Sequence, residues 1–114
     1  MSRYRNGRDF EYRTRDHFRN DGYDVIRSAG SKTKVDLVAI KPRQLLFVQC
    51  KRDGRISPAE RHTLIRLAWS VGAIPVLAHL GPRVGNQAAP FLLRQLTGPG
   101  PRDWEPFTTD EVNA

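Results

Sequence analysis

Two periods of apolar residues order this chain into helices and strands. Gly7, Phe10, Glu11, Thr14, His17, Phe18 and Asp21 fall on one face at helical spacing, while Arg8, Asp9, Arg13, Arg15, Asp16 and Arg19 cover the other. This predicts a helix over about residues 5–20, ended by Asn20-Asp21-Gly22. Residues 23–28 are β-branched and aromatic enough for a strand, and residues 29–34 read as a basic loop. Two further apolar runs predict strands over 35–40 and 45–51. The four residues between them, 41–44, are short enough for an antiparallel hairpin.

The second half opens on Ser57-Pro58-Ala59-Glu60, which combines a hydroxyl cap, proline at the first helical position and glutamate at the third. Leu64, Leu67, Ala68 and Val71 mark the expected buried stripe of that helix, and Gly72 is placed to end it. Residues 73–78 should form a strand, with Pro75 suggesting its start or a sheet edge. A strand–helix–strand connection should lay it parallel to the 45–51 strand. The order is then α-β-β-β-α-β. Beyond Gly81 the pattern weakens: residues 90–96 suit a short helix or strand, 97–101 read as a linker, and 102–114 as a loosely held tail anchored by Trp104 and Phe107. The expected organisation is one domain over 1–97, with 98–114 as linker and tail.

At 114 residues and 13.0 kDa, 39% hydrophobic and 27% charged, the composition suits one compact domain. No apolar run reaches the roughly 18 residues of a membrane span, and the N-terminus lacks a signal-peptide core, so a cytoplasmic protein is expected. The lone Cys50 cannot form an internal disulfide, and no pair of histidines has zinc-ligand spacing. No glycine-rich phosphate loop suggests a nucleotide cofactor. The net charge of +7 is unevenly spread. Residues 1–55 hold 14 of the 19 Lys+Arg and 7 of the 12 Asp+Glu, whereas 56–114 hold 5 of each. A polyanion such as DNA would be drawn to the first half, with strongly salt-dependent affinity.

The same half holds the candidate chemistry. Glu11 is the odd carboxylate on a core-facing stripe and needs compensation by a cation, a metal or water. Asp36 opens an apolar strand, although Asp is depleted in strands. Gln49 and Lys51, two apart, should project to one face, with Val48 and Cys50 on the other. An acidic group, an amide oxygen and an ammonium near strand ends could hold a divalent cation beside a phosphate.

On these residues, the run from Gly7 to Arg55 resembles the core of the PD-(D/E)XK nucleases, most closely the archaeal-type Holliday junction resolvases and their phage-encoded relatives. The resemblance implies a restriction-endonuclease-like α/β fold: an αβββαβ core with a mixed central sheet flanked by helices. It implies a metal-dependent endonuclease that cuts four-way DNA junctions in recombination and repair, acting as a homodimer in the cytoplasm of a bacterium or of a phage's host. Glu11, Asp36 and Gln49, with the Cys50 backbone carbonyl, would hold Mg²⁺ or Mn²⁺; Lys51 and Ser31 complete the catalytic set. Arg8, Arg27, Ser31, Lys32, Lys34, Arg52 and Arg55 would contact DNA. Family members usually carry glutamate where this chain has Gln49, whose amide oxygen can bind Mg²⁺ without bringing charge. A restriction-like or repair nuclease, or a DNA-binding protein without catalysis, are the alternative readings. The neutral second half is the expected source of the dimer interface.

Overall fold

The computed structural model describes residues 3–28 and 35–109, with side chains from residue 7 onward. The expectations for Ser31, Lys32 and Lys34 fall outside the described residues. Its elements are α1 (Arg3–Asn20), β1 (Asp24–Arg27), β2 (Leu37–Lys41), β3 (Gln44–Cys50), α2 (Pro58–Ser70), β4 (Ile74–Leu80), β5 (Phe91–Leu96) and β6 (Trp104–Pro106). The strands form one sheet in sequence order, with every neighbouring pair antiparallel except the parallel β3–β4 pair. The mixed sheet with helices on both faces is the architecture the resemblance implied. No helix among the described residues is long and apolar enough to cross a membrane.

Alternation along the strands divides the interior into two layers. Leu46 and Val48 of β3 join Leu37, Ala39, Val76 and Ala78 beneath Phe10 and Phe18 of α1. Phe47, between them in sequence, points the other way and packs with Leu77 and Leu96 under Leu64 and Ile65 of α2. Both helices end in the same way. Tyr23 N–H donates to Phe18 O and Gly22 N–H to Arg19 O after α1; Ala73 N–H to Ala68 O and Gly72 N–H to Trp69 O after α2. These paired bonds satisfy the last carbonyls and require a left-handed residue, supplied by Gly22 (φ +91°) and Gly72 (φ +74°). The Phe18 and Tyr23 rings meet edge to face across the first of these ends.

Several expectations shift. The buried face of α2 is Arg61, Leu64, Ile65 and Ala68, while Leu67 is half-buried and Val71, the C-cap residue, is 59% exposed. The helix stops before Val71 could turn back over the sheet. Pro75 does stand near the start of its strand, but β4 is flanked by β3 and β5 and is no edge; Pro75 pairs with Phe47 and is buried. Residues 91–96 resolve as strand. The region expected to be a loose tail adds a strand, β6, beside β5. Trp104 and Phe107 are its anchors as expected, Trp104 against the α2 layer and Phe107 against the α1 layer. The intervening turn is held by Thr97 N–H to Asp103 O at 2.9 Å and by buried Arg61, whose Nη1 donates to Gly98 O and Asp103 O. Thr109 then donates its hydroxyl to Asp21, tying the segment back to the end of α1.

Candidate active site

The site assembles around Asp36, one residue before β2. Its N–H donates to Val48 O at 3.0 Å, its carbonyl accepts the Ser28 N–H at 3.0 Å, and its Oδ2 accepts the Cys50 N–H at 2.8 Å. Two residues of β3, on either side of Gln49, therefore hold Asp36 in place. Burial pushes the Asp36 carboxyl above its usual range, against the pull of the Cys50 N–H and the Lys51 ammonium; Glu60 adds to the rise and Arg27 opposes it.

Gln49 lies between Phe47 and Lys51 on the α2 face of β3. It is only 8% exposed, and its Oε1 has no hydrogen-bond partner. A buried, unpaired amide oxygen costs roughly 1–3 kcal/mol. An acceptor left open beside a carboxylate fits an oxygen-seeking cation. Lys51 follows the end of β3: its N–H donates to Ala78 O at 2.9 Å, and its ammonium reaches α2, where Nζ lies 2.6 Å from Glu60 Oε2. Cys50 turns to the α1 face and meets the Thr14 hydroxyl, and burial pushes its thiol well above the ordinary range. A thiol so held is no nucleophile at neutral pH.

Glu11 approaches from the α1 side. Its Oε1 accepts from Arg27 Nε at 3.0 Å, with both side chains about three-quarters covered at 23% and 26% exposure. Burial and then the nearby Asp36 raise the Glu11 carboxyl, and Arg27 draws it back down. The Arg27 guanidinium also lies over the Tyr12 ring at 4.8 Å, so an arginine expected to face DNA is committed to α1. The cation that compensates the inward-facing Glu11 is therefore Arg27. Glu11 with Arg27, on one side, and Lys51 with Glu60, on the other, meet electrostatically at Asp36.

Among the described residues, no group of three or more His, Cys, Asp and Glu side chains lies close enough to hold a metal ion. The donor set is thus not a cage of acids. The oxygens that the fold leaves near one another are those of the Asp36 carboxylate, whose Oδ2 accepts the Cys50 N–H, and of Gln49, the residue before Cys50, whose Oε1 is unpaired. Arg8, Arg52 and Arg55 are exposed. Beyond Lys51 the chain turns at Gly54 (φ +77°), where a side chain's Cβ would stand 3.3 Å from Nδ1 of buried His79, and Leu80 N–H donates to Arg52 O at 3.0 Å. This loop and β4–β5 border a cavity lined by Lys51, Arg52, Gly54, His79, Leu92 and Arg94 among others.

Sequence reasoning did not find Glu60 as part of this site, because its place in the Ser57 capping box already accounted for it. His79 was likewise passed over; its Nδ1 lies 3.1 Å from Leu80 O and its Nε2 is buried without a partner.

Comparison with known proteins adds a family. Residues 2–95 match the family model described as "Archaeal holliday junction resolvase (hjc)". The chain is 35% identical over 80 residues to the crossover junction endodeoxyribonuclease Hjc of Methanocaldococcus jannaschii, a match covering 67% of this chain and 59% of that protein. The chain thus spans less than two thirds of that relative's length. Among solved structures it resembles the 1.6 Å structure of Archaeoglobus fulgidus Hjc, a Holliday junction resolvase from an archaeal hyperthermophile. The TM-score is 0.62 and the identity 25%, over 77% of this chain and 70% of that one.

Proposed function

Because the chain belongs to the archaeal Holliday junction resolvase family, we propose that it is a metal-dependent endodeoxyribonuclease that nicks four-way DNA junctions by hydrolysing a phosphodiester bond. The observation that carries this reading is the largely buried Asp36 carboxylate clasped by the neighbours of Gln49, whose own oxygen is buried and unpaired. Asp36 and Gln49, with the Cys50 carbonyl and with Glu11 at greater remove, would hold one or two Mg²⁺ or Mn²⁺ ions. A divalent ion bound there polarises the scissile phosphate and lowers the pKa of a bound water.

The remaining work belongs to the chain's own residues. Lys51, two positions beyond Gln49, orients the attacking water and offsets negative charge that develops on the phosphate. Arg8, Arg52 and Arg55, with Ser31, Lys32 and Lys34, would contact neighbouring phosphates and set register rather than read sequence. Arg27 serves the site by neutralising Glu11 and can reach a phosphate only by leaving it. A four-way junction has approximate two-fold symmetry, and a homodimer presents two such sites about a dyad. The setting is the cytoplasm, where recombining cellular or phage DNA is found.

The test is cleavage of synthetic four-way junction, duplex and single-stranded DNA in Mg²⁺, Mn²⁺ or chelator, for the wild type and Lys51→Ala. Paired nicks confined to the junction, absent in chelator and lost in Lys51→Ala with junction affinity largely kept, support the proposal. Equal cutting of all three substrates would point to a restriction-like or repair nuclease. Junction binding without cleavage would leave a DNA-binding protein.

A further inference from the structure

Glu60 carries more than a helix cap. It sits at the third position of α2, where its Oε1 accepts the Ser57 N–H at 3.1 Å and its own N–H donates to Ser57 Oγ at 3.1 Å. Glutamine completes such a box equally well, because the cap needs an acceptor and not a charge. The second carboxylate oxygen is turned away from the cap, to the Lys51 ammonium at 2.6 Å.

The charges around Asp36 show what this contact does. Glu11, Asp36 and Glu60 contribute three negative charges, and Arg27 and Lys51 two positive ones, so the set has a net charge of −1. Without Glu60 the set is neutral. A dication offered only Asp36 and the uncharged Gln49 oxygen would then meet no net attraction, and the affinity of oxygen sites for such ions follows their charge. Asp36 feels both Lys51 and Glu60, so this charge acts where the ion would bind. The buried, unpartnered Gln49 oxygen is the independent sign that a ligand is accommodated there.

We propose that Glu60 supplies from α2 the negative charge that Gln49 lacks, holding Lys51 in place and restoring the site's attraction for a divalent metal ion. It is a positioning residue that acts through Lys51 and through its field at Asp36. This rests on the metal-dependent site proposed above. Burial would raise the Glu60 carboxyl, but Lys51 and the Ser57 donors outweigh it and hold Glu60 below its ordinary range, ionised at neutral pH.

The test is a charge-swap cycle of near-isosteric variants: Glu60→Gln, Gln49→Glu and the double variant. Each is checked for native circular dichroism, titrated with Ca²⁺ by calorimetry without DNA, and assayed for the Mg²⁺ dependence of junction cleavage. Glu60→Gln should weaken Ca²⁺ binding about tenfold or more, because one unit charge near a dication is lost in a partly buried site. Gln49→Glu in the Glu60→Gln background should return affinity to near the wild type, and the cleavage midpoint in Mg²⁺ should move in parallel. Unchanged Ca²⁺ affinity in Glu60→Gln, no rescue by Gln49→Glu, or no Ca²⁺ binding by the wild type would each overturn the inference. Calorimetry that follows the charge count in a protein that cuts no DNA would uphold it while removing the nuclease reading. Junction cleavage with metal binding indifferent to Glu60 would do the reverse.

Discussion

Asp36→Asn should make the protein more stable while removing its activity. The ordinary expectation for a hydrogen-bonded carboxylate is loss on both counts. Burial raises the Asp36 carboxyl, so the folded chain holds its proton more tightly than the unfolded chain does. The ionised group at pH 7 therefore costs stability, and that cost fades as pH falls toward the folded value. Two cations, Lys51 and Arg27, and two anions, Glu60 and Glu11, surround it and largely offset one another. What remains is a mostly buried carboxylate supported by one side-chain hydrogen bond from the Cys50 N–H. Asparagine keeps an acceptor for that N–H and discards the charge, a gain on the order of 1 kcal/mol. In a domain of this size that is about 4 °C in melting temperature.

The assay is a thermal scan at pH 7, first in chelator and then in excess Ca²⁺. In chelator Asp36→Asn should melt higher, and the gap should close as pH is lowered and wild-type Asp36 takes up its proton. With Ca²⁺ at a hundred times its dissociation constant the wild type gains about 2.7 kcal/mol, a gain Asp36→Asn should not share, so the order of melting reverses. A lower melting point for Asp36→Asn in chelator would show that the neighbouring cations outweigh burial. Equal gains from Ca²⁺ would remove Asp36 from the metal site.

Three further outcomes are expected. Phe18→Ala should cost about 3–5 kcal/mol in urea unfolding, since the ring is wholly buried between α1 and the sheet and closes the end of its helix against Tyr23; a loss under 1 kcal/mol would mean the layer collapses freely. Arg52→Ala and Arg55→Ala should each reduce the slope of log affinity against log salt for junction DNA by about 0.9, and an unchanged slope would place those side chains off the phosphate path. Burial, and secondarily Arg94, hold the His79 imidazole below its ordinary value, against the Leu80 carbonyl, so the unfolded chain is protonated first. Its share of stability is complete above about pH 6.5 and lost as pH falls below that value. Wild type minus His79→Leu stability should therefore decline between pH 7 and pH 5, and a flat difference would refute it.

What could be read from the chain was whatever depends on neighbours in sequence. The Ser57 cap, the glycines that end both helices, the 41–44 hairpin and the alternation of Val48 and Cys50 against Gln49 are all decided within a few residues. What could not be read depends on which partner arrives from elsewhere. Arg61 lay outside the expected stripe, and it is buried because the 98–103 turn brings two carbonyls to its guanidinium. Val71 continues the helical period but is the C-cap, just past the last helical residue, Ser70, and just before Gly72 reverses the chain. Residues 98–109 have turn-rich, weakly apolar chemistry and join the fold because the exposed side of β5 offers Trp104 a partner strand.

The candidate site divides along the same line. Asp36 just precedes β2, Gln49 is in β3 and Lys51 just follows it, and the register of that hairpin is local, so their placement at one end of it was legible. Arg27 and Glu60 enter from β1 and α2, and each looks locally complete, one as a strand-edge cation and the other as a cap. Only the assembled sheet shows that each neutralises a charge the site would otherwise carry alone, Arg27 for Glu11 and Glu60 for Lys51. Gln49 is then no simple defect in an acidic site. With two ion pairs flanking one carboxylate, the charge that residue 49 lacks is carried by Glu60, eleven positions along the chain, at the start of α2.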